Sequence, residues 1–217
     1  MRITFIRHGM SEMTGKPVLV GQTDTPLSDL GRLEAARLAE RFAGRQFDAL
    51  WASPLQRTRD TASAIGEAIG HMAVLDKRLM EIDLGQLEGA HFQQLHNGPG
   101  SWRDKWQKNP GRVRFPGGEN LQEVAARSWK LLEELYDRHP QGHVIVVSHM
   151  FTISVMLCRV LKLKVGQFRT FAVDPASVTT VSLDQSGLRL MLLNDTSHLE
   201  GLEGHKLRTG ALPQKRL

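Results

Sequence analysis

Cysteine is almost missing from this 217-residue chain: Cys158 stands alone among apolar neighbours, so no internal disulfide can staple the fold. That usage leads us to expect a reducing, cytoplasmic setting. Long hydrophobic runs are missing too. The stretch Met150 to Leu161 contains Arg159 and is shorter than the ~20 apolar residues a membrane span needs, so no membrane partner is expected. At the N-terminus only four uncharged residues separate Arg2 from Arg7, which leaves no room for a signal-peptide core. Internal repeats and low-complexity segments are absent. Acidic residues are absent from the last thirteen positions, which carry Lys206, Arg208, Lys215 and Arg216; the chain's net +5 is therefore mostly a tail, residues 205–217, over a body of about +1. A solvated basic terminus explains that excess better than a nucleic-acid-binding arm, and no nucleic-acid partner is expected. With 41% hydrophobic and 24% charged residues, neither a disordered chain nor a disulfide scaffold fits.

What is present alternates short β-rich runs with longer helical ones. Ile3–Ile6 reads as an apolar strand that ends at Arg7-His8-Gly9. Ser28 is a natural N-cap for a helix from about Asp29 to Phe42, with Leu30, Leu33, Arg37 and Leu38 at helical spacing. Phe47–Trp51 reads as a second strand, and Ser53-Pro54 predicts the start of a helix running to about Ile69. From Met72 to Gly118 the pattern loosens, with an irregular insertion expected at about 89–118. Leu121, Val124, Ala125, Ser128, Leu131, Leu132 and Leu135 then share one face of a long helix. Val144–Val147 is a continuous β-branched run, as in a strand buried on both faces, and a helix from about Met150 to Leu161 follows. Val178–Leu183 and Leu188–Leu193 flank a turn signal at Asp184-Gln185-Ser186-Gly187. These elements predict one α/β domain with a mixed sheet over residues 1–204.

In open α/β sheets functional groups gather beyond the carboxyl ends of the strands. Arg7 and His8 end the first strand, and Ser148 and His149 end the Val144–Val147 strand. If the two are parallel neighbours, their imidazoles share a cleft, and Arg57, one turn into the helix after the second strand, can point back into it. Two guanidinium forks match a phosphate bidentately and offset charge that grows on its oxygens during transfer. A neutral imidazole is a competent nucleophile near pH 7. Glu81 is the candidate proton donor to a leaving alkoxide, kept protonated by partial burial; Glu88 is a rival donor, read first as part of a turn.

Arg7-His8-Gly9, Ser53-Pro54-Leu55-Gln56-Arg57-Thr58, Glu81 ahead of Gly85 and Glu88-Gly89, Pro116-Gly117-Gly118-Glu119 and Ser148-His149 resemble, in order, the motifs of the histidine phosphatase (phosphoglycerate mutase-like) superfamily. The resemblance runs from Arg2 to about Leu199, and the ending Leu193-Asn194-Asp195-Thr196-Ser197-His198-Leu199 is similar to its α-ribazole phosphatase-like, broad-specificity branch. It implies a three-layer α/β/α sandwich with a mostly parallel central sheet. It also implies roles: His8 as the nucleophile that becomes phosphohistidine, Arg7, Arg57 and His149 around the phosphate, Glu81 as general acid and base, and no metal or other cofactor. The segment Gly21 to Gly31 resembles the family's loop leading into its first helix, where substrates are often contacted, which makes Gln22 and Thr23 candidate substrate contacts; Ser11 is a further candidate.

Met10 and Thr14 stand where many members carry an acid or glutamine and an asparagine, so a phosphoglycerate specificity is not carried over. The stretch between Glu81 and His149 is shorter than in cofactor-dependent mutases. A phosphatase acting on a small phosphorylated substrate is therefore expected ahead of a mutase or a non-catalytic phospho-ligand module. Neither His91 with His96 nor His139 with His143 offers a third ligand on one face, so no metal site is expected. Trp102 and Trp106 read as local packing. Met10 and Phe151 are expected to form an apolar pocket wall, and His198 to make a structural hydrogen bond. Oligomeric state is open, a homodimer included.

Overall fold

One six-stranded sheet organises the chain. Its strands are β1 (Arg2–Arg7), β2 (Ala49–Ala52), β3 (Val74–Leu75), β4 (His143–Ser148), β5 (Val178–Asp184) and β6 (Gly187–Asp195), in the spatial order β3-β2-β4-β1-β5-β6. The first four of that order run parallel; β5 lies antiparallel to β1, and β6 antiparallel to β5. The helices are α1 (Asp29–Phe42), α2 (Gln56–Ile69), α3 (Trp102–Lys108), α4 (Leu121–Arg138) and α5 (Met150–Val160), joined by short 3-10 turns. These coordinates are a computed structural model that describes residues 1–184 and 187–204. Gln185 and Ser186 of the expected turn and the basic tail 205–217 lie outside the described residues.

Alternation along the strands sorts side chains onto two faces. Ile3, Phe5, Val144 and Val146 pack with Leu131, Leu132, Leu135, Ile153 and Leu157 of α4 and α5. Ile6, Ile145 and Val147 pack on the other face with Leu38, Phe42, Ala62 and Ile65 of α1 and α2. The expected three-layer α/β/α sandwich follows from that division, because the central strands β1 and β4 are covered on both faces. A third apolar cluster, around Trp106, Phe115, Leu121, Val155 and Phe168, roots the irregular 89–118 segment onto α4 and α5. Within it Trp102 and Trp106 stack at 5.4 Å between ring centroids. No helix among the described residues is long and apolar enough to cross a membrane.

Helix α1 starts as its sequence predicts, with the Ser28 side chain accepting the Gly31 N–H. Its apolar face differs from expectation: Leu33 is 53% exposed, while Glu34 is buried because its carboxylate accepts the Met10 N–H at 2.7 Å. A side chain at Gly31 would run into the Met10 carbonyl, so bare backbone lets α1 approach the loop after β1. Helix α4 carries the complete capping box, Asn120 with Glu123, and buries the seven residues the periodicity indicated. Helix α2 begins at Gln56 rather than at Pro54. Two side chains account for the shift: the Ser53 hydroxyl turns to His149, and Asp24, distant in sequence, accepts the Gln56 N–H at 2.6 Å. The second strand is Ala49–Ala52, Phe47 packing edge-on against Phe42 instead, and the two-residue β3 carries too little pattern to be read from sequence.

Leu131, fully buried on α4, is expected to cost about 2–5 kcal/mol when cut to alanine. Leu33→Ala, on the solvent side of α1, is expected within about 0.5 kcal/mol of wild type. Urea titrations of both variants test the assignment of faces; comparable losses would overturn it.

Candidate active site

Strand pairing brings the two histidines together. β1 and β4 are in register from Arg2 opposite His143 to Arg7 opposite Ser148, so the next residue of each strand leaves the sheet at one level. The His8 and His149 rings meet edge-on, 5.1 Å between centroids. Both are buried, His149 completely. His8 Nδ1 lies 2.7 Å from the Gly9 carbonyl oxygen; that oxygen can only accept, so Nδ1 carries the proton and Nε2 keeps its lone pair. Arg57 Nε donates to that Nε2 at 3.3 Å, while its Nη1 and Nη2 donate to the carbonyls of Thr23 (2.9 Å) and Gly21 (2.7 Å). Arg7 Nη1 donates to the Val173 carbonyl at 2.7 Å, and its buried Nε has no hydrogen-bond partner.

Glu81 sits at the N-terminus of α5. Its Oε1 accepts the N–H groups of Ile82 (3.0 Å) and Thr152 (3.3 Å), and its Oε2 that of Phe151 (3.2 Å). Arg127, itself paired with Glu119, donates to the Glu81 backbone carbonyl. His149 Nε2 is 2.8 Å from Ser53 Oγ, which accepts the Leu55 N–H at 3.3 Å, and His149 Nδ1 has no partner.

Burial acts in opposite directions on the acid and the bases, whereas the arginine charges favour proton loss from both. Burial, followed by the Arg57 and Arg7 charges, holds the His8 imidazole well below its ordinary 6.5, against the Gly9 carbonyl. Burial and then Arg57 do the same for His149, with His8, Arg127 and Arg7 adding to it. Burial raises the Glu81 carboxyl above 4.5, although the Phe151 and Ile82 amides and both arginines favour its charged form. The imidazoles are thus biased to be neutral and the carboxyl to hold its proton.

Arg7, His8, Arg57 and Glu81 open onto one cavity of about 160 Å³. Beyond them its wall carries the polar Ser11, Thr14 and Lys16 and the apolar Met13, Met150 and Phe151. The pattern of the histidine phosphatase superfamily (branch 1) matches residues 3–196. The chain belongs to this superfamily. Among its relatives, phosphoserine phosphatase 1 of Hydrogenobacter thermophilus is 32% identical over 209 residues, covering 95% of this chain and 99% of that one. A protein of Cronobacter sakazakii named probable phosphoglycerate mutase GpmB is 29% identical over 205 residues, covering 92% and 95%. The solved structure of a mycobacterial glucosyl-3-phosphoglycerate phosphatase is 32% identical, with a TM-score of 0.80, covering 90% of this chain and 99% of that one.

In this member of the superfamily, the sequence-predicted residues do not all reach the cavity. His149 lies beside His8 without lining the cavity, and Gln22 and Thr23 turn away: Gln22 Nε2 donates to the Glu81 carbonyl, and Thr23 Oγ1 donates to Glu88. Met10 is not on the wall, its backbone being tied to Ser28 and Glu34, whereas Phe151 is. His198 Nδ1 meets Arg41 Nη1 at 3.0 Å. Sequence reasoning missed Ser53, Thr152 and Arg127, which hold the acid and base, and Lys16 on the wall. Ser53 sits inside a motif and could have been found; the others follow from packing alone. Among the described residues, no three or more His, Cys, Asp or Glu cluster as a metal site would require.

At pH 6.5 an ordinary imidazole is half charged. His8 is expected to be neutral there by nitrogen NMR, with its titration midpoint below 6.5. Arg57→Ala is expected to move that midpoint upward, since the guanidinium opposes the imidazolium. A half-charged His8 at pH 6.5 in the wild type would contradict this electrostatic reading.

Proposed function

We propose that this histidine phosphatase hydrolyses monoesters of a small phosphorylated metabolite through a phosphohistidine on His8, without a metal. The observation that carries the reading is the placement of His8 on the cavity, its Nδ1 against the Gly9 carbonyl and its Nε2 lone pair towards Arg57 Nε. The size of the cavity supports a small substrate, since drug-sized pockets run to roughly 300–1,000 Å³.

In the first step His8 Nε2 attacks phosphorus, the P–O bond to the alcohol breaks, and Glu81 gives its proton to the departing oxygen. Arg7 and Arg57 meet the phosphoryl oxygens, whose charge they balance more strongly as the transition state spreads it. Ser53 accepts one hydrogen bond from Leu55 and has one proton to give. Donated to His149 Nε2, that proton places the ring hydrogen on Nδ1 and keeps the imidazole beside His8 neutral. In the second step Glu81, now a carboxylate, accepts a proton from water as that water attacks the phosphohistidine. Neutral His8, released as inorganic phosphate leaves, closes the cycle. Helix α5 presents two N–H groups to Glu81, and these stabilise the charged form that the second step requires.

Wild-type protein is expected to release phosphate from an aryl phosphate in the presence of a chelator, and to become labelled by an acid-labile phosphoryl group that His8→Ala abolishes. Labelling that survives His8→Ala would remove His8 as nucleophile, and formation of an isomerised ester in place of free phosphate would make the protein a mutase. Glu81→Gln is expected to slow esters with basic leaving groups more than activated aryl esters. Equal slowing across a leaving-group series would deny Glu81 the role of acid.

A further inference from the structure

Glu88 lies off the cavity wall, half-buried in the turn after the 3-10 helix Gly85–Leu87. Its carboxylate nevertheless takes three donors from one short stretch: Gln22 N–H at 2.7 Å on Oε1, and Gly21 N–H at 3.1 Å and Thr23 hydroxyl at 2.7 Å on Oε2. The same stretch returns its carbonyls to Arg57, Gly21 to Nη2 and Thr23 to Nη1. Residues 21–24 are pinned on two further sides, by Gln22 Nε2 on the Glu81 carbonyl and by Asp24 on the first amide of α2. Gly21 fits only as glycine, because a side chain there would strike the Ile82 carbonyl and Glu88 itself. A peptide strip one residue thick therefore separates a carboxylate from the guanidinium that touches the nucleophile.

We propose that Glu88 is a positioning residue for Arg57, setting the guanidinium against His8 through the amides and carbonyls of Gly21–Thr23 and exchanging no proton in the reaction. The inference rests on the phosphohydrolase reading for its kinetic test. Two carbonyls and the His8 nitrogen occupy three of the five Arg57 N–H groups, and the direction of the remaining two is fixed by the plane those three define. The carbonyls are as well placed as the strip that bears them. With a glutamine at position 88, one oxygen can still accept, but the amide nitrogen cannot, and at least one of the three donors loses its partner. The strip then shifts, and a displacement of about 1 Å at a reacting centre costs up to about 100-fold in rate.

The test is a double-mutant cycle on kcat/KM with Glu88→Gln and Arg57→Ala, run with aryl phosphates of graded leaving-group basicity. Glu88→Gln alone is expected to lower kcat/KM by about 10- to 100-fold, by the same factor for every ester, and to weaken inhibition by inorganic phosphate. In the Arg57→Ala background the same substitution is expected to change kcat/KM less than about 2-fold. Thr23→Val, which keeps the carbonyl to Arg57 and removes one bond to Glu88, is expected to act in the same direction with a smaller loss, and it carries the cycle should Glu88→Gln not fold. A penalty that grows with leaving-group basicity would make Glu88 a proton donor and overturn the proposal. So would a full penalty in the Arg57→Ala background. Should the wild type prove inert towards every ester, the activity fails separately, and calorimetry of inorganic phosphate binding through the same cycle still decides whether Glu88 acts through Arg57; phosphate that does not bind at all sinks both.

Discussion

The parallel ladder between β1 and β4, from Arg2 opposite His143 to Arg7 opposite Ser148, carries the weight of this structure. Two strands locked in that register must release residues 8 and 149 side by side, and no loop conformation has to be found to bring the imidazoles into contact. The ladder is secured by the least negotiable part of the core. Val144, Ile145, Val146 and Val147 are all fully buried, and a slip of one residue would send each of them to the opposite helix layer. Everything else at the site is fitted to this junction. Helix α2 carries Arg57 over it, and α5 starts immediately beyond His149.

Burial does most of the electrostatic tuning, and the hydrogen bonds refine it. The imidazoles lose affinity for protons because they are removed from water next to guanidinium groups, and the Glu81 carboxyl gains affinity because it is removed from water too. One cause therefore produces a free base and a held proton within a single cavity, which is the separation of roles that acid–base chemistry on a phosphate ester needs. The amides at the start of α5 moderate the effect on Glu81. Its carboxylate form is tolerated there, whereas an unsupported buried anion would not be.

Much of this was readable from the residues because the decisive signals are local. A β-branched run marks β4, and the seven apolar and small residues at helical spacing mark α4. The motif tripeptides fall at strand ends, where the sheet itself places them together. The misreadings share a different cause: a polar side chain serving a distant partner. Ser53 bonds to His149 rather than opening α2, and Asp24 takes over at the helix start. Glu34 enters the core at the expense of Leu33 because the Met10 amide needs an acceptor. Thr23 and Gln22 face Glu88 and Glu81 instead of the cavity. Such long-range bonds leave no trace in spacing, and neither does the loop that brings Lys16 and Met13 to the wall, a stretch with no periodicity at all.

The contact between Arg57 Nε and the His8 lone pair gives the resting protein a built-in reserve. An imidazole nitrogen that already accepts an N–H bond is a poor target for alkylating agents or stray acyl donors, which bring nothing to tempt the guanidinium away. A tetrahedral dianion offers arginine a stronger acceptor than a neutral ring, so an anion that enters the cavity competes with His8 for this guanidinium. Chemical selectivity then begins before any catalytic step, in a competition between two acceptors for one hydrogen.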